Sequence, residues 1–211
     1  MNRRHLLQLL ALPTGLTLAA CGERAPSVAA LKSDAKVLAL GDSLTAGYGA
    51  SPDEAWPAKL ALLTGWQIVN EGVNGDTSAG ALRRLDGLLD ANSYDAILIG
   101  IGGNDMLRAM PAKNTSSNLA AIVRKALTHS PYVAVIAAPA PEPLRATVGA
   151  LSDAAFYKEV AAAEKALLIP DVYAGVLSDA SLRSDRIHAN AQGYAGVAQQ
   201  LAEKLKTAGW R

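Results

Sequence analysis

Apolar and polar residues follow two different periods along the chain from Lys36 onward. Short continuous apolar runs have the length of buried strands. They alternate with longer segments whose apolar residues recur every three or four positions, as on one face of a helix. The runs predict strands at residues 37–40, 66–70, 96–101, 132–138 and 166–169. This alternation predicts a three-layer α/β/α domain with a parallel sheet of about five strands. The run at 96–101 is the most apolar, so we expect it to be central.

The segments between these runs predict helices with recognisable starting residues. The helices are expected at 57–63, from Thr77 or Ser78, from residues 115–117, over 152–165 and after Asn190. Pro139, Pro141 and Pro143 predict a non-helical segment after the fourth strand, because proline lacks an amide donor and restricts its neighbour. Residues 171–186 show no pattern that assigns them to a helix or a strand.

The first twenty residues have the order of charged and then apolar residues that is typical of a bacterial export signal. Two arginines precede an apolar run at 6–20, which is too short for a comfortable transmembrane helix. The run closes with Leu-Ala-Ala before Cys21, the single cysteine of the chain, and this ending resembles a bacterial lipobox. We therefore expect residues 1–20 to be a lipoprotein signal peptide and Cys21 to carry lipid. The alternative is an ordinary cleavage site beside an incidental cysteine.

The remaining chain divides into a tether and one domain. Residues 21–35 are polar and rich in small side chains, and we expect them to link the lipidated cysteine to a domain over 36–211. By resemblance to lipoprotein sorting, Gly22 is unlike an inner-membrane retention signal. We therefore expect a lipid-anchored protein of the outer membrane that faces the periplasm.

Composition excludes several classes of function. The formal net charge is +1 and the basic residues are scattered, so we expect no nucleic-acid partner. The expected domain contains no cysteine and only two histidines, too few for a dedicated zinc site, so we expect no metal. Neither G-x-G-x-x-G nor G-x-x-x-x-G-K-[ST] occurs, so we expect no nucleotide cofactor.

The first strand ends in a candidate nucleophile. Gly41-Asp42-Ser43 follows the apolar run directly, and ligands of open α/β sheets bind at the carboxyl ends of the strands. A serine hydroxyl needs a base within hydrogen-bond reach, and histidine is the usual one. His5 lies in the predicted signal peptide and His129 ends a predicted helix, which leaves His188 as the candidate base.

His188 lies three residues after Asp185, on the predicted loop before the last helix. In a tight turn this spacing brings a carboxylate to the histidine ring, where it can fix the tautomer. Aspartate and histidine are often three apart by chance, so the spacing alone favours an ordinary turn with an exposed histidine. Two further strand ends offer donors for an oxyanion, the backbone N–H of Gly75 and the side-chain amide of Asn104. The alternative is that Gly75 is an ordinary turn glycine and that Asn104 is a helix cap or lies in a local turn.

Four sequence blocks together resemble the SGNH (GDSL-type) hydrolase family. They are Gly41-Asp42-Ser43-Leu44, the glycine of Asn74-Gly75-Asp76, Gly102-Gly103-Asn104-Asp105, and the pair Asp185 and His188, and they occur in this order. The text LGDSLTAGYG with GGNDMLR is similar to the bacterial thioesterase, arylesterase and lysophospholipase branch. The proline-rich segment 138–145 departs from relatives in a region that shapes acyl binding, so the resemblance leaves the choice of substrate open.

The resemblance implies a flavodoxin-like sheet and an acyl-serine intermediate, without a cofactor. It implies Ser43 as nucleophile, His188 as base and Asp185 as the orienting acid, with Ser43, Gly75 and Asn104 forming the oxyanion hole. The expected substrates are small acyl esters or thioesters of short to medium length, or lysophospholipids. The alternatives are a carbohydrate or peptidoglycan O-acetylesterase and a catalytically silent binding lipoprotein of the envelope.

Overall fold

The computed structural model describes residues 29–141 and 149–211. Within these ranges five parallel strands form one sheet: β1 (Lys36–Gly41), β2 (Gln67–Gly72), β3 (Ala96–Gly100), β4 (Tyr132–Ile136) and β5 (Leu167–Ile169). The strand order is β2-β1-β3-β4-β5, with β3 in the centre. The predicted α/β class and the predicted central strand are both confirmed.

Helices connect the strands in the part of the chain that the structure describes. They are α1 (Ser43–Ala46), α2 (Trp56–Thr64), α3 (Ser78–Ala91), α4 (Gly103–Leu107), α5 (Ala112–His129), α6 (Ala155–Glu164), α7 (Val172–Ser178) and α8 (Ala191–Thr207). A short 3₁₀ turn at Ala180–Leu182 separates α7 from α8.

The helices form two layers around the sheet. Helix α5 packs against α3 and against α6, whereas α8 packs against α2 and α7. Between them, β1, β3 and β4 are almost entirely buried, while β2 and β5 at the edges are partly exposed. These are the continuous apolar strands expected of a parallel sheet covered on both faces, so the core lies where the sequence pattern predicted it.

Two predicted helix boundaries are wrong. Helix α5 begins at Ala112 rather than at residues 115–117, because Pro111 occupies the N-cap and the Thr115 hydroxyl is buried beside Asp105. Helix α6 begins only at Ala155, because the residues before it run extended and pair with the segment after β4 at Pro139. In both cases a contact outside the helix itself, to Asp105 or to Pro139, engages the residues that were expected to begin it.

The proline-rich segment is described as far as Pro141, and this part is non-helical as predicted. Pro143 lies outside the described residues. Residues 171–186, which the pattern did not assign, contain α7, the 3₁₀ turn and a loop. The short helices α1 and α4, each directly after a strand, were also not predicted.

Glycines end the three adjacent strands that carry the predicted site. Gly41 of β1 pairs in register with Gly72 of β2 on one side and with Gly100 of β3 on the other. A Cβ atom on Gly72 would lie 2.1 Å from the backbone nitrogen of Ala46, and one on Gly41 would lie 2.0 Å from the Thr45 hydroxyl. This row of glycines therefore lets α1 lie directly on the strand ends, which we call the carboxyl edge.

The chain enters the domain at the opposite, amino edge of the sheet. Leu31 donates its N–H to the carbonyl of Trp210 at 2.9 Å, and Ala35 is buried just before β1 begins. Throughout residues 29–141 and 149–211, the helices lack the combination of length and apolar character that a membrane span requires.

Candidate active site

Ser43 begins α1, and only Asp42 separates it from the end of β1. Asp42 caps this short helix, and its carboxylate accepts a hydrogen bond from the Leu44 N–H at 3.0 Å. The helix closes after four residues at Gly47, whose N–H donates to the Ser43 carbonyl and whose φ of 87° is the left-handed conformation that glycine tolerates best. Ser43 is thereby held at a sharp turn on the carboxyl edge.

The loop before α8 brings His188 to this serine across 145 positions of sequence. His188 Nε2 lies 2.9 Å from Ser43 Oγ, and His188 Nδ1 lies 2.8 Å from Asp185 Oδ2. The other carboxylate oxygen of Asp185 accepts the N–H groups of Ile187 and His188 at 2.8 and 2.9 Å. The three-residue spacing thus forms a turn in which one carboxylate orients both the loop backbone and the imidazole.

The protonation of Asp185 decides the roles of the two histidine nitrogens. Partial burial opposes ionisation of the carboxyl, but hydrogen bonds from the His188 ring and from the two backbone N–H groups outweigh it and hold the pKa of Asp185 below its usual value. An ionised carboxylate only accepts hydrogen bonds, so Nδ1 carries the proton and Nε2 is left to accept the Ser43 hydroxyl. This is the arrangement that general-base activation of a serine requires.

Tyr48 restricts the imidazole from the other side. The centroids of the Tyr48 and His188 rings are 4.5 Å apart, and the Tyr48 carbonyl accepts a hydrogen bond from the buried Tyr194 hydroxyl at 2.8 Å. Since Tyr194 belongs to α8, the loop after α1 is tied to the helix that follows His188. The pattern of the sequence alone did not identify Tyr48.

Gly75 and Asn104 lie on the two loops that border Ser43. Gly75 has a φ of 75° in the turn after β2, and the N–H of Val73 in this loop donates to the Gly41 carbonyl at 3.0 Å. Asn104 lies in the first turn of α4 after β3 and is half-buried. Arg108, at the end of α4, donates from Nη2 to the Gly75 carbonyl at 2.8 Å and so joins the two loops.

An apolar cavity of about 290 Å³ opens beside Ser43. Its wall is formed mainly by aliphatic and proline side chains: Leu44, Leu107, Pro139, Pro141, Leu151 and Ile187. Arg186 is the only charged residue among the described residues that line it. The lining includes Leu44 and Ile187, the chain neighbours of Ser43 and His188. An apolar cavity next to a nucleophile is suited to a substrate with a carbonyl carbon and a hydrocarbon chain.

Similarity to known proteins agrees with this geometry. A family model described as the GDSL-like lipase/acylhydrolase family matches residues 39–195. The chain belongs to this family. Thioesterase 1/protease 1/lysophospholipase L1 of Escherichia coli (strain K12) is 33% identical over 180 residues, which are 81% of this chain and 83% of that protein.

Two further proteins support the assignment. An arylesterase of Vibrio mimicus is 42% identical over 100 residues, which are 45% of this chain and half of that protein. The crystal structure of the psychrotrophic esterase EstA from Pseudoalteromonas superposes with a TM-score of 0.72 and 27% identity, covering 82% of this chain and 98% of EstA. The chain is therefore an ester-hydrolysing serine hydrolase of the GDSL type.

The structure brings Ser43, His188 and Asp185 of this GDSL hydrolase within hydrogen-bond distance, and it sets Gly75 and Asn104 on neighbouring loops. Their catalytic roles stay predictions. Cys21 lies outside the described residues. No cluster of three or more His, Cys, Asp or Glu side chains suited to a metal ion occurs within 29–141 and 149–211.

Two charged residues whose structural roles the sequence did not predict hold the site loops in place. Arg84 of α3 donates to Asp76 at 2.9 Å and to the carbonyls of Gly41 and Glu71, so it joins the ends of β1 and β2. Asp105, which is fully buried, accepts the Ser78 N–H at 2.8 Å and thereby fixes α4 to the start of α3. Their partners are 8 to 43 residues away, and no local signal identifies them.

Asp42 is a second buried carboxyl at the site. Burial, reinforced by the nearby charges of Asp76 and Asp105, raises the pKa of Asp42 to about 7, although the Leu44 N–H opposes the shift. The folded protein therefore holds this proton at pH values at which the unfolded chain has lost it. The contribution of Asp42 to the free energy of unfolding is therefore greatest below the pKa that its carboxyl has in the unfolded chain. It falls as the pH rises towards 7.

Asp42→Asn tests this titration, because asparagine keeps an acceptor for Leu44 and cannot ionise. We expect its stability advantage over the wild type to grow by roughly 3 kcal/mol between pH 5 and pH 8. Urea unfolding across that range measures it. The control Asp90→Asn, at an exposed position of α3, should show no such trend. An advantage for Asp42→Asn that stays constant with pH would contradict the assignment.

Proposed function

We propose that this GDSL esterase hydrolyses esters and thioesters of short to medium acyl chains, lysophospholipids among them, through an acyl-Ser43 intermediate. The observation that supports the mechanism is the pair of hydrogen bonds Ser43–His188 and His188–Asp185, at 2.9 and 2.8 Å. Leu44 and Ile187, which adjoin Ser43 and His188 in the chain, line the apolar cavity.

In the acylation half-reaction, Ser43 Oγ attacks the substrate carbonyl carbon while its proton moves to His188 Nε2. The imidazolium that forms is stabilised by the ionised carboxylate of Asp185 through the Nδ1–H hydrogen bond. Collapse of the tetrahedral intermediate transfers the Nε2 proton to the departing alcohol or thiol. The acyl group then remains bonded to Ser43 Oγ.

The negative charge on the tetrahedral intermediate needs preorganised donors. We assign the backbone N–H groups of Ser43 and Gly75 and the side-chain amide of Asn104 to this oxyanion hole. The start of α1, the left-handed turn and the start of α4 present these groups from three strand ends. Loss of one such donor costs about 2.7–4 kcal/mol of transition-state stabilisation in another serine hydrolase.

Deacylation reuses the same groups with water. His188 Nε2 accepts a proton from a water molecule, whose oxygen attacks the acyl carbonyl, and the proton then returns to Ser43 Oγ as the acid leaves. The acyl chain occupies the apolar cavity during both half-reactions. With about 290 Å³, this cavity is near the lower end of the roughly 300–1,000 Å³ that ligand sites span, which supports short to medium chains.

Two alternatives use the same residues differently. A carbohydrate or peptidoglycan O-acetylesterase would transfer only an acetyl group and has no need of an apolar cavity of this size. A silent binding lipoprotein would have no need of an intact Ser43–His188–Asp185 arrangement. A fluorophosphonate serine probe separates the second alternative, since a silent protein would form no adduct at Ser43.

We also propose that Cys21 carries lipid and holds the domain at the outer membrane, facing the periplasm. The pattern Leu-Ala-Ala-Cys after two arginines and an apolar run supports this localisation. A thioether-linked lipid with further acylation would anchor the chain, since stable membrane attachment takes more than one acyl chain.

The catalytic assignment is tested with the two histidines of the described domain. His188→Ala and Ser43→Ala should each lower kcat for p-nitrophenyl butyrate by roughly 10⁴-fold or more, because nucleophile and base act as a unit. His129→Ala is the matched control. Its ring accepts the Tyr94 N–H at 3.2 Å, away from Ser43, so kcat should be retained. Wild-type activity in His188→Ala would refute the mechanism.

The acyl cavity is tested with Ala140→Leu, which adds bulk to its wall. We expect kcat/KM for octanoyl esters to fall about tenfold or more while that for acetyl esters is kept, since added methylenes that do not fit a pocket have costs of this size. Ala163→Leu, on the exposed face of α6, should leave the chain-length profile unchanged. A wild-type profile that already collapses beyond butyryl esters would favour the O-acetylesterase.

The anchor is tested by cell fractionation. Cys21→Ser removes the thiol that the lipid requires, so the protein should move from the detergent-extracted membrane fraction to the soluble fraction with its esterase activity intact. Ser43→Ala is the control and should stay with the membranes although it is inactive. An unchanged distribution of Cys21→Ser would rule out lipidation at this position.

A further inference from the structure

Of the six large apolar side chains that are exposed within residues 29–141 and 149–211, two, Leu62 and Leu63, are adjacent in α2 and the other four lie on segments of the active site. Tyr48, Val73, Leu107 and Ile187 have exposed fractions of 51, 44, 49 and 41%. They belong to four separate segments: the loops after α1 and β2, the end of α4, and the turn that carries His188. Large apolar side chains grouped on one exposed face usually mark a binding surface. We call these four residues the carboxyl-edge patch.

Contacts connect each of the four residues with the active site or its cavity. The Tyr48 ring packs on His188, and Val73 is fixed to the end of β1 by its hydrogen bond to Gly41. Leu107 and Ile187 both line the apolar cavity. An apolar route therefore runs from the outer surface of the patch into the cavity beside Ser43.

Two arginines that form no ion pair with the residues described, 29–141 and 149–211, accompany the patch. Arg108 donates to a neutral carbonyl, and Arg186 lies at the cavity wall; both are exposed, and neither forms an ion pair with the residues that the structure describes. The neighbouring carboxylate Asp185 accepts hydrogen bonds from the His188 ring and from two backbone N–H groups rather than from Arg186, and Asp179 lies near Arg183. Arg108 and Arg186 are thus the charges that the patch offers to an incoming surface.

Apolar side chains flanked by arginine match the chemistry of an anionic lipid interface. The apolar groups enter the boundary of headgroups and acyl chains, while the arginines meet the negative surface potential. We propose that the carboxyl-edge patch binds the surface of a bilayer that contains anionic phospholipid. The consequence of this binding is that acyl esters reach Ser43 from the lipid phase, and this consequence rests on the proposed function.

A second copy of the chain fits the patch less well. Stable interfaces bury roughly 1,200 Å² or more in total, whereas the patch offers four side chains that are each about half exposed. In a symmetric dimer each patch would meet its own image, so the arginines of the two copies would be brought close together. A lipid surface has neither of these difficulties.

Docking through the patch differs in orientation from attachment through the leader. The described chain begins at the amino edge, where Leu31 is bonded to Trp210, and the exposed Leu62 lies near the same edge at the end of α2. Attachment through the N-terminal residues before Leu31 would bring Leu62 towards the lipid. Binding through the patch would bring Val73 there instead.

A site-specific fluorophore separates the two orientations. Full-length chain carrying Cys21→Ser and Ser43→Ala receives a nitrobenzoxadiazole label at Val73→Cys or, as the matched control, at Leu62→Cys. Vesicles of phosphatidylcholine with phosphatidylglycerol should shift the emission to the blue and raise it several-fold at position 73 only. Because Ser43→Ala has no turnover, the result does not depend on the proposed hydrolysis.

Three results would overturn the proposal. They are no change at position 73, an equal change at position 62, and a change at position 73 that grows with protein concentration in the absence of vesicles. The last would indicate pairing of two copies.

The charge requirement is tested with Arg186→Gln in the same label background. Its partitioning onto the mixed vesicles should weaken about fivefold, and the difference should disappear on pure phosphatidylcholine. Lys206→Gln, which removes an exposed cation from the end of α8, is the control and should bind like its parent. Equal binding of Arg186→Gln and Lys206→Gln would refute an electrostatic role for this face.

Discussion

The close approach of α1 to the ends of three parallel strands is the constraint on which the site depends. A Cβ atom on Gly41 would lie 2.6 Å from the carbonyl oxygen of Gly100, and one on Gly72 would lie against the backbone of α1. The absence of side chains at these positions lets Ser43 leave β1 at the centre of the carboxyl edge, with the loops after β2 and β3 on either side.

The contacts that complete the site cross long distances in sequence. Arg84 joins the ends of β1 and β2, Asp105 anchors α4 to α3, and Arg108 reaches the loop that contains Gly75. Asp42, next to the nucleophile, is also buried, and this burial raises its pKa to about 7. The contacts that hold the loops and the buried carboxyl with a raised pKa therefore occur in the same part of the structure. The same loops leave apolar residues exposed around the opening, where a lipid substrate would arrive.

Sequence patterns predicted the five strands and the central position of β3, because a strand buried on both faces must be apolar throughout. They also predicted the residues of the Ser43–His188 pair, since the chain has few histidines and the family blocks occur in order. They failed at the start of α5, where Thr115 hydrogen-bonds to Asp105 instead of capping the helix. They failed also for α1 and α4, which are too short to show a period.

By itself, the sequence determined the class of fold, the order of its elements and the kinds of side chain available for acyl transfer, because hydrophobic period and residue chemistry are local properties. The tertiary structure alone decided that His188 meets Ser43 across 145 positions, that Asp185 orients it through a turn, and that a cavity lies beside them. Distances and burial depend on how separate elements pack, and no window of the chain contains that information.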